Sequence, residues 1–223
     1  MKLLLAVVLL SIYLGYLFGG RLKRLETLRP RWWGLVIAGL AIQFVPLPEG
    51  TAGTDLVVRT AVLAISYTLL VTFAAVNIRM PGMALVLIGL ACNFTVIVVN
   101  GGMPASAEAL TNSGQQDVLD SLRNEGADKH HLLTDEDQLT FLADVIAVPQ
   151  PIGQAVSIGD VFVYAGLVWL VIATMRGWTP SARPEGSRRR RGRHRPGAAK
   201  EEPELQPDLG FHPPGARTSG TGP

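Results

Sequence analysis

Cysteine and charge are both scarce in this sequence of 223 residues. Cys92 is the one cysteine and stands inside an apolar run, which excludes an intramolecular disulfide and a zinc knuckle. Charged residues make up 17% of the chain, against about 25% in an average soluble protein. Hydrophobic residues make up 48%. This composition predicts a membrane protein, whose folded surface is in contact with lipid.

Catalytic fingerprints are missing as well. The chain has no Walker loop, no dinucleotide-binding fingerprint, no G-x-S-x-G elbow and no H-E-x-x-H pair. His130 and His131 stand near several acids, but adjacent histidines point in different directions and do not form a metal-ligand spacing. We therefore expect no metal, no cofactor and no catalytic residue, and the sequence favours a function other than catalysis.

Five apolar runs approach the length needed to cross a bilayer, which is about 20 helical residues. Each run predicts a helix, because a backbone in lipid must satisfy its own hydrogen bonds. The predicted helices cover about residues 3–20, 32–48, 55–76, 81–99 and 158–176. The fold class is therefore all-α: a polytopic integral membrane protein whose membrane domain covers residues 1–176.

The distribution of cations predicts the orientation of these helices. Five Lys and Arg residues follow the first run, which places that connection in the cytoplasm, whereas residues 46–54 contain no Lys or Arg. The cations of the first connection are Arg21, Lys23, Arg24, Arg29 and Arg31. Five crossings then place the N-terminus outside and the C-terminus in the cytoplasm of a multi-pass cell-membrane protein.

The loop at residues 100–157 is too long for a plain connector, so it predicts a small helical extracytoplasmic cap. It carries nine acids against two bases. One helix is predicted at 116–123. A second is predicted to begin near Thr134, with Leu139, Leu142 and Ile146 on its apolar face. Ser157 and Asp160 form a capping box for the fifth membrane helix.

Residues 177–223 are rich in Arg, Pro and Gly and predict a disordered, basic cytoplasmic tail. We expect its run of Arg188, Arg189, Arg190 and Arg191 to contact anionic lipid headgroups, and we expect no nucleic acid partner.

Ser11, Gly15 and Gly19 recur every four residues in the first helix. This spacing predicts close packing against a neighbour, either within the chain or in a second copy.

Three short motifs give the chain a family resemblance. Asn100-Gly101-Gly102-Met103-Pro104, Leu142-Ala143-Asp144-Val145-Ile146 and Ser157-Ile158-Gly159-Asp160 together resemble an uncharacterised bacterial membrane family, typical of actinobacteria and clostridia and known only as a domain of unknown function. The resemblance covers about residues 1–176. It implies a multi-pass membrane protein, and it carries over no activity, substrate or cofactor.

Two interpretations of these motifs remain open. The simpler one is that they shape the return of the chain to the membrane, with Gly101 and Gly102 ending the fourth helix in a left-handed turn. The sharper one is that Asn100, Asp144 and Asp160 converge into a polar extracytoplasmic pocket. The sequence favours the first.

The sequence leaves three functions open. The leading hypothesis is a non-catalytic membrane component that assembles with itself or with partner proteins. The second is a small transporter or cation-binding channel, which the acidic cap and the amides of the fourth helix suggest. The third is a membrane enzyme that uses Asp144 and Asp160 near the outer leaflet.

Overall fold

The computed structural model describes residues 2–45, 54–124 and 130–178. All five apolar runs form helices in it. They are α1 (Lys2–Leu17), α2 (Gly34–Ile42), α3 (Thr54–Val76), α4 (Met83–Asn100) and, after the elements of the cap, α7 (Ile158–Met175). A short 3-10 helix, Leu22–Thr27, follows α1. The predicted tail lies outside the described residues.

Three of these helices are long and apolar enough to cross a membrane: Val57–Val76 within α3, and all of α4 and α7. Helix α1 is shorter, at 16 residues, and α2 has nine. At 1.5 Å per residue, α2 is about 14 Å long, roughly half the hydrocarbon thickness. The protein therefore has three membrane-length helices in its described part, and a count of five crossings remains a prediction.

The five helices pack in the order α1, α7, α4, α3, α2. The central pair, α4 and α7, approaches most closely at glycines. A Cβ on Gly89 would collide with the carbonyl oxygen of Gly159, and a Cβ on Gly166 would lie 2.7 Å from Val86 Cγ2. Small residues thus allow backbone-to-backbone packing of α4 against α7, as is common between helices in lipid.

The small-residue face of α1 is used inside the chain. Ser11 and Gly15 are buried, and a Cβ on Gly15 would collide with Met175 Sδ at the end of α7. Gly19 takes a left-handed conformation (φ 75°) just after the helix, and a Cβ added there would meet no heavy atom within 4 Å. Of the two packing options that the sequence left open, the structure shows the one within the chain.

Residues 101–157, called the cap from here on, follow α4 and precede α7. The cap contains strand β1 (Met103–Ala105), helices α5 (Ala107–Ser113) and α6 (Gln116–Asn124), and strands β2 (His130–Leu132), β3 (Ile146–Val148) and β4 (Gln154–Val156). β1 pairs with β2 in parallel, and β3 pairs with β4 in antiparallel register. The prediction of α6 is confirmed, whereas the all-α description is too simple, because the described part of the cap has four short strands.

The second predicted cap helix is wrong. Leu139 has a left-handed backbone (φ 55°), Thr140–Leu142 is a single 3-10 turn, and Ile146 already belongs to β3. Hydrogen bonds before and after residues 139–142 explain why no helix forms there. The Asp137 carboxylate accepts hydrogen bonds from the Thr134 amide and hydroxyl and so closes a turn, while the backbone beyond Leu142 pairs with β1.

The cap rests on the bundle through a shared apolar cluster. Leu63 of α3, Val96 and Ile97 of α4 and Met103 of β1 are all buried against one another. The cap also has a core of its own, formed by Ala105, Ala109, Leu110, Leu119 and Ala155. Cap and bundle therefore meet at the end of α4, and this junction contains a cavity.

Candidate functional site

A cavity of about 460 Å³ lies between the cap and helices α3, α4 and α7. This volume falls in the range of about 300–1,000 Å³ that is usual for small-molecule sites. Its walls are mixed. Leu63, Ile97 and Met103 give it an apolar side, and the polar side carries two carboxyl groups, a histidine, a tyrosine and several amides. Such a lining suits a ligand that has both a polar and an apolar part.

The first carboxyl group, Asp160, is held by the start of α7. The Ser157 hydroxyl accepts a hydrogen bond from the Asp160 amide (3.0 Å), and the Asp160 carboxylate accepts one from the Ser157 amide (3.2 Å). This is the capping box that the sequence predicts, and it is confirmed. The carboxylate is thereby held in one orientation at the floor of the cavity.

Asn93 of α4 completes this arrangement. Its Nδ2 donates to Asp160 Oδ1 at 2.8 Å, and its Oδ1 accepts from the Ser157 hydroxyl at 2.9 Å. Asn93 is only 4% exposed, so both halves of a buried amide have partners. The three residues form a polar network that joins α4 to α7 below the cavity.

The second carboxyl group, Asp144, is positioned by the backbone of the cap. The Asp144 amide donates to the Pro104 carbonyl (2.9 Å), and the Asp144 carbonyl accepts from the Ser106 amide (3.1 Å). These bonds form a bridge that extends the edge of β1. Because the backbone is fixed on both sides, the Asp144 side chain is held where it lines the cavity.

The two oxygens of Asp144 differ in their surroundings. Oδ2 lies 3.5 Å from His130 Nε2, whereas Oδ1 is buried and has no hydrogen-bond partner among the described residues. The side chain as a whole is 9% exposed. Burial, together with the negative charge of Asp160, raises the pKa of the Asp144 carboxyl to about 8. A buried carboxyl group with an oxygen that no described residue satisfies is unusual in a folded protein and marks this position as a candidate for ligand contact.

Asn100 does not join the two acids. Its side chain donates to the Gln138 carbonyl (2.9 Å) and accepts from the Gln138 amide (2.8 Å). It therefore fastens the end of α4 to the cap, next to Gly101, whose left-handed backbone (φ 72°) ends the helix. The structure places Asp144 and Asp160 on one cavity and gives Asn100 a different position.

Asn93 is a residue of this cavity that the sequence does not single out, because a buried amide in an apolar helix is expected to hold helices together. It does hold two helices together, but it also lines the cavity. The available signal was a side-chain amide in the middle of an apolar helix, where it needs a hydrogen-bond partner. Tyr67 of α3 also lines the cavity, and its ring stacks on that of Phe94 with centroids 6.4 Å apart.

The described residues contain no group of three or more His, Cys, Asp and Glu side chains placed to hold a metal ion. His131 is paired with Asp137, with 2.8 Å between Nε2 and Oδ1. Burial raises the pKa of Asp137, but the hydrogen bonds from His131 and Thr134 outweigh burial, and the pKa is lowered overall. This pair closes a turn of the cap.

A match to one protein family, DUF5317, a family of unknown function, covers residues 27–172. The chain belongs to this family. The DUF5317 region begins later than the resemblance read from the sequence, yet it includes all three motifs and every residue that lines the cavity except Lys2. No curated protein matches the chain, and no solved structure does.

Proposed function

We propose that this DUF5317 protein is a membrane protein that binds a small organic solute in the cavity between its bundle and its cap, as a receptor or as the binding unit of a transport process. One observation carries the proposal: a ligand-sized cavity contains a buried carboxyl group whose Oδ1 has no hydrogen-bond partner in the described part of the chain. A site of 460 Å³ is much larger than a single ion needs, which favours an organic solute.

The cavity and the basic turn, which is the 3-10 helix Leu22–Thr27 with its neighbouring cations, stand at opposite ends of α7. At the C-terminal end, the Met175 carbonyl accepts hydrogen bonds from the Arg21 amide and from Arg24 Nη1. At the N-terminal end, Ser157 and Asp160 border the cavity. If the basic turn is cytoplasmic, as the positive-inside rule requires, the cavity faces the outside. Our proposal includes this orientation and the five crossings.

Solute binding accounts for more of the structure than the two other functions do. The small-residue face of α1, which motivated assembly with a second copy, packs against α7 of the same chain. The Asp160 carboxylate, which an enzyme would use, is engaged by Ser157 and Asn93 in a structural network. Contact of the arginine run at 188–191 with anionic lipid remains a separate prediction.

Cysteine labelling in whole cells tests the orientation. Gln154→Cys lines the cavity and Thr27→Cys lies on the basic turn, and each is placed in a Cys92→Ala background. We expect a membrane-impermeant maleimide to label Gln154→Cys in intact cells and Thr27→Cys only after permeabilisation. The reverse pattern would place the cavity in the cytoplasm and refute the orientation.

Blocking the cavity tests the binding function. Val118 lines the cavity and is 41% exposed, so a Val118→Trp side chain can fill the opening with little effect on packing. Asn112→Trp, on the exposed side of α5, is the matched control. We expect solutes from a small-molecule library to stabilise the wild type and Asn112→Trp thermally, but not Val118→Trp. Stabilisation of all three alike would place binding elsewhere.

A further inference from the structure

Asp144 Oδ1 indicates which chemical class of solute the cavity takes. This oxygen belongs to a side chain that is more than nine-tenths buried, it lines the cavity, and it lacks a hydrogen-bond partner among the described residues. Asp160, by contrast, has its carboxylate engaged by Asn93 and Ser157. The group still to be satisfied in this cavity therefore belongs to an acid, and it is an acceptor once the acid is ionised.

The charges around Asp144 come from four elements. Asp160 and Tyr164 face it from α7, Tyr67 faces it from α3, and His130 of β2 approaches only its other oxygen. Lys2, at the start of α1, also lines the cavity. With two carboxyl groups against one lysine, the cavity has a net negative charge when both acids are ionised, which favours a cationic ligand.

Resting on the proposed solute-binding function, we infer that the solute carries a protonated amino group, whose N–H donates a hydrogen bond to Asp144 Oδ1. Such a charge-assisted bond satisfies the unpartnered oxygen and neutralises a buried charge at the same time. The apolar side of the cavity, formed by Leu63, Ile97 and Met103, accommodates a short hydrocarbon substituent on the amine.

Two comparisons distinguish a protonated amine from a quaternary ammonium and from a divalent metal ion as the ligand of this cavity. A quaternary ammonium has no N–H and leaves Oδ1 without a donor, even though it can interact with the Tyr67 ring. A divalent metal ion needs several ligands, and the described residues provide no group of three. The amine should therefore bind better than either.

The binding of an amine should also be coupled to proton release. The Asp144 carboxyl is protonated in much of the empty protein at neutral pH, because its pKa is raised to about 8. An ammonium group favours the ionised form, so each amine that binds at pH 7 should displace about one proton from Asp144. Affinity should then rise by roughly tenfold per pH unit up to about pH 8.

The experiment uses the full chain in nanodiscs, with empty nanodiscs as the blank. The probes are n-butylamine, n-butyltrimethylammonium, 1-butanol, butyrate and Mg²⁺, titrated calorimetrically. We expect n-butylamine to bind most tightly, and Asp144→Asn to weaken it by at least about tenfold, the effect of losing one charge-assisted hydrogen bond. Asp120→Asn removes an acid from the exposed side of α6 and should leave the affinity within about twofold.

Lys2→Gln and a dye assay for proton release complete the test. Lys2→Gln should raise amine affinity, because it removes a competing ammonium group from the wall of the cavity. Near-UV circular dichroism and thermal unfolding establish that Asp144→Asn is folded. Proton release that persists in folded Asp144→Asn would overturn the assignment of the amine to Asp144.

The possible failures are distinguishable. One outcome is that butanol or butyrate binds as tightly as the amine, that Val118→Trp blocks this binding and that Asp144→Asn does not change it. In that case the solute-binding function stands and the inference that the solute is an amine is wrong. If no library solute binds and a maleimide fails to reach Gln154→Cys in permeabilised cells, the solute-binding function itself is wrong.

Discussion

Replacing Asn93 with alanine should loosen the junction between α4 and α7. The substitution removes a hydrogen bond to a carboxylate, from Asn93 Nδ2 to Asp160 Oδ1, and a neutral one from the Ser157 hydroxyl. Soluble-protein values of about 1.5–3 kcal/mol for the charged bond and about 1 kcal/mol for the neutral one give an upper bound near 4 kcal/mol. Bonds between membrane helices average only about 0.6 kcal/mol, which gives a lower bound near 1 kcal/mol.

The position of Asn93 decides between these bounds. Its side chain lines the cavity, so water can reach Asp160 once the amide is gone, and the carboxylate is not left in an apolar surrounding. We therefore expect Asn93→Ala to lower the free energy of unfolding by about 2 kcal/mol. The measurement is unfolding in a mixed-micelle SDS titration, followed by circular dichroism.

Thr95→Ala is the matched control on the same helix. The Thr95 hydroxyl is exposed and bonds only to the Ala91 carbonyl of its own helix (2.8 Å), so its loss should cost less than about 0.5 kcal/mol. A double-mutant cycle of Asn93→Ala with Ser157→Ala should show a coupling of about 0.5 kcal/mol or more. Equal costs for Asn93→Ala and Thr95→Ala, or strict additivity in the cycle, would refute the network as a stabilising unit.

Three other substitutions have defined outcomes. Gly89→Ala should lower the free energy of unfolding by about 1–3 kcal/mol, because its Cβ meets the α7 backbone, whereas Gly34→Ala, with open space around it, should be neutral in the same titration. Asn100→Ala should speed proteolysis of the cap by removing both bonds to Gln138, without changing amine affinity; unchanged cleavage would contradict this. Asp144→Asn should raise the free energy of unfolding at pH 8 and change it little at pH 4. The native protein favours the protonated Asp144 carboxyl, because burial raises its pKa from 3.8 in the unfolded chain to about 8. The stability that this preference contributes is complete below pH 3.8 and is lost as the pH rises towards about 8. A wild-type unfolding free energy that does not fall between pH 4 and pH 8 would refute the burial of Asp144.

The features that the sequence predicts well are local ones. The five apolar helices each depend on one continuous run of residues, and the Ser157–Asp160 capping box and the left-handed Gly101 each depend on residues within about one helical turn. Helix α6 belongs to the same class. Its apolar residues Leu119 and Leu122 lie on one face and pack in the core of the cap. Information of this kind is contained in a short window of sequence.

The strands of the cap depend on distant pairing. β1 and β2 pair residues that are 27 positions apart, Met103 with His130, and each strand has three residues. Three residues are too few for a period of two to be recognised. The spacing of Leu139, Leu142 and Ile146 fits a helix equally well, and pairing of the following residues with β1 and β4 overrides that preference.

The candidate site was predictable only in part for the same reason. Asp144 and Asp160 are 16 residues apart in sequence, and both were candidates because they belong to the three motifs. Their meeting at one cavity depends on the backbone bridge between Asp144 and Ala105, which no local pattern encodes. Asn100 was a candidate on the same grounds, yet its amide bonds to the Gln138 backbone and leaves it outside the cavity wall.

The residues that build the cavity are also those that join the cap to the bundle. Asp144 is held by β1, β1 contributes Met103 to the apolar cluster of α3 and α4, and Asn93 ties α4 to the start of α7. A ligand that satisfies Asp144 Oδ1 therefore acts at the point where these elements meet, and it stabilises the junction increasingly as its concentration exceeds its Kd. Occupancy of the cavity should then slow hydrogen exchange in β1 and at the start of α7 together, whereas a ligand held only by the cap would protect β1 alone.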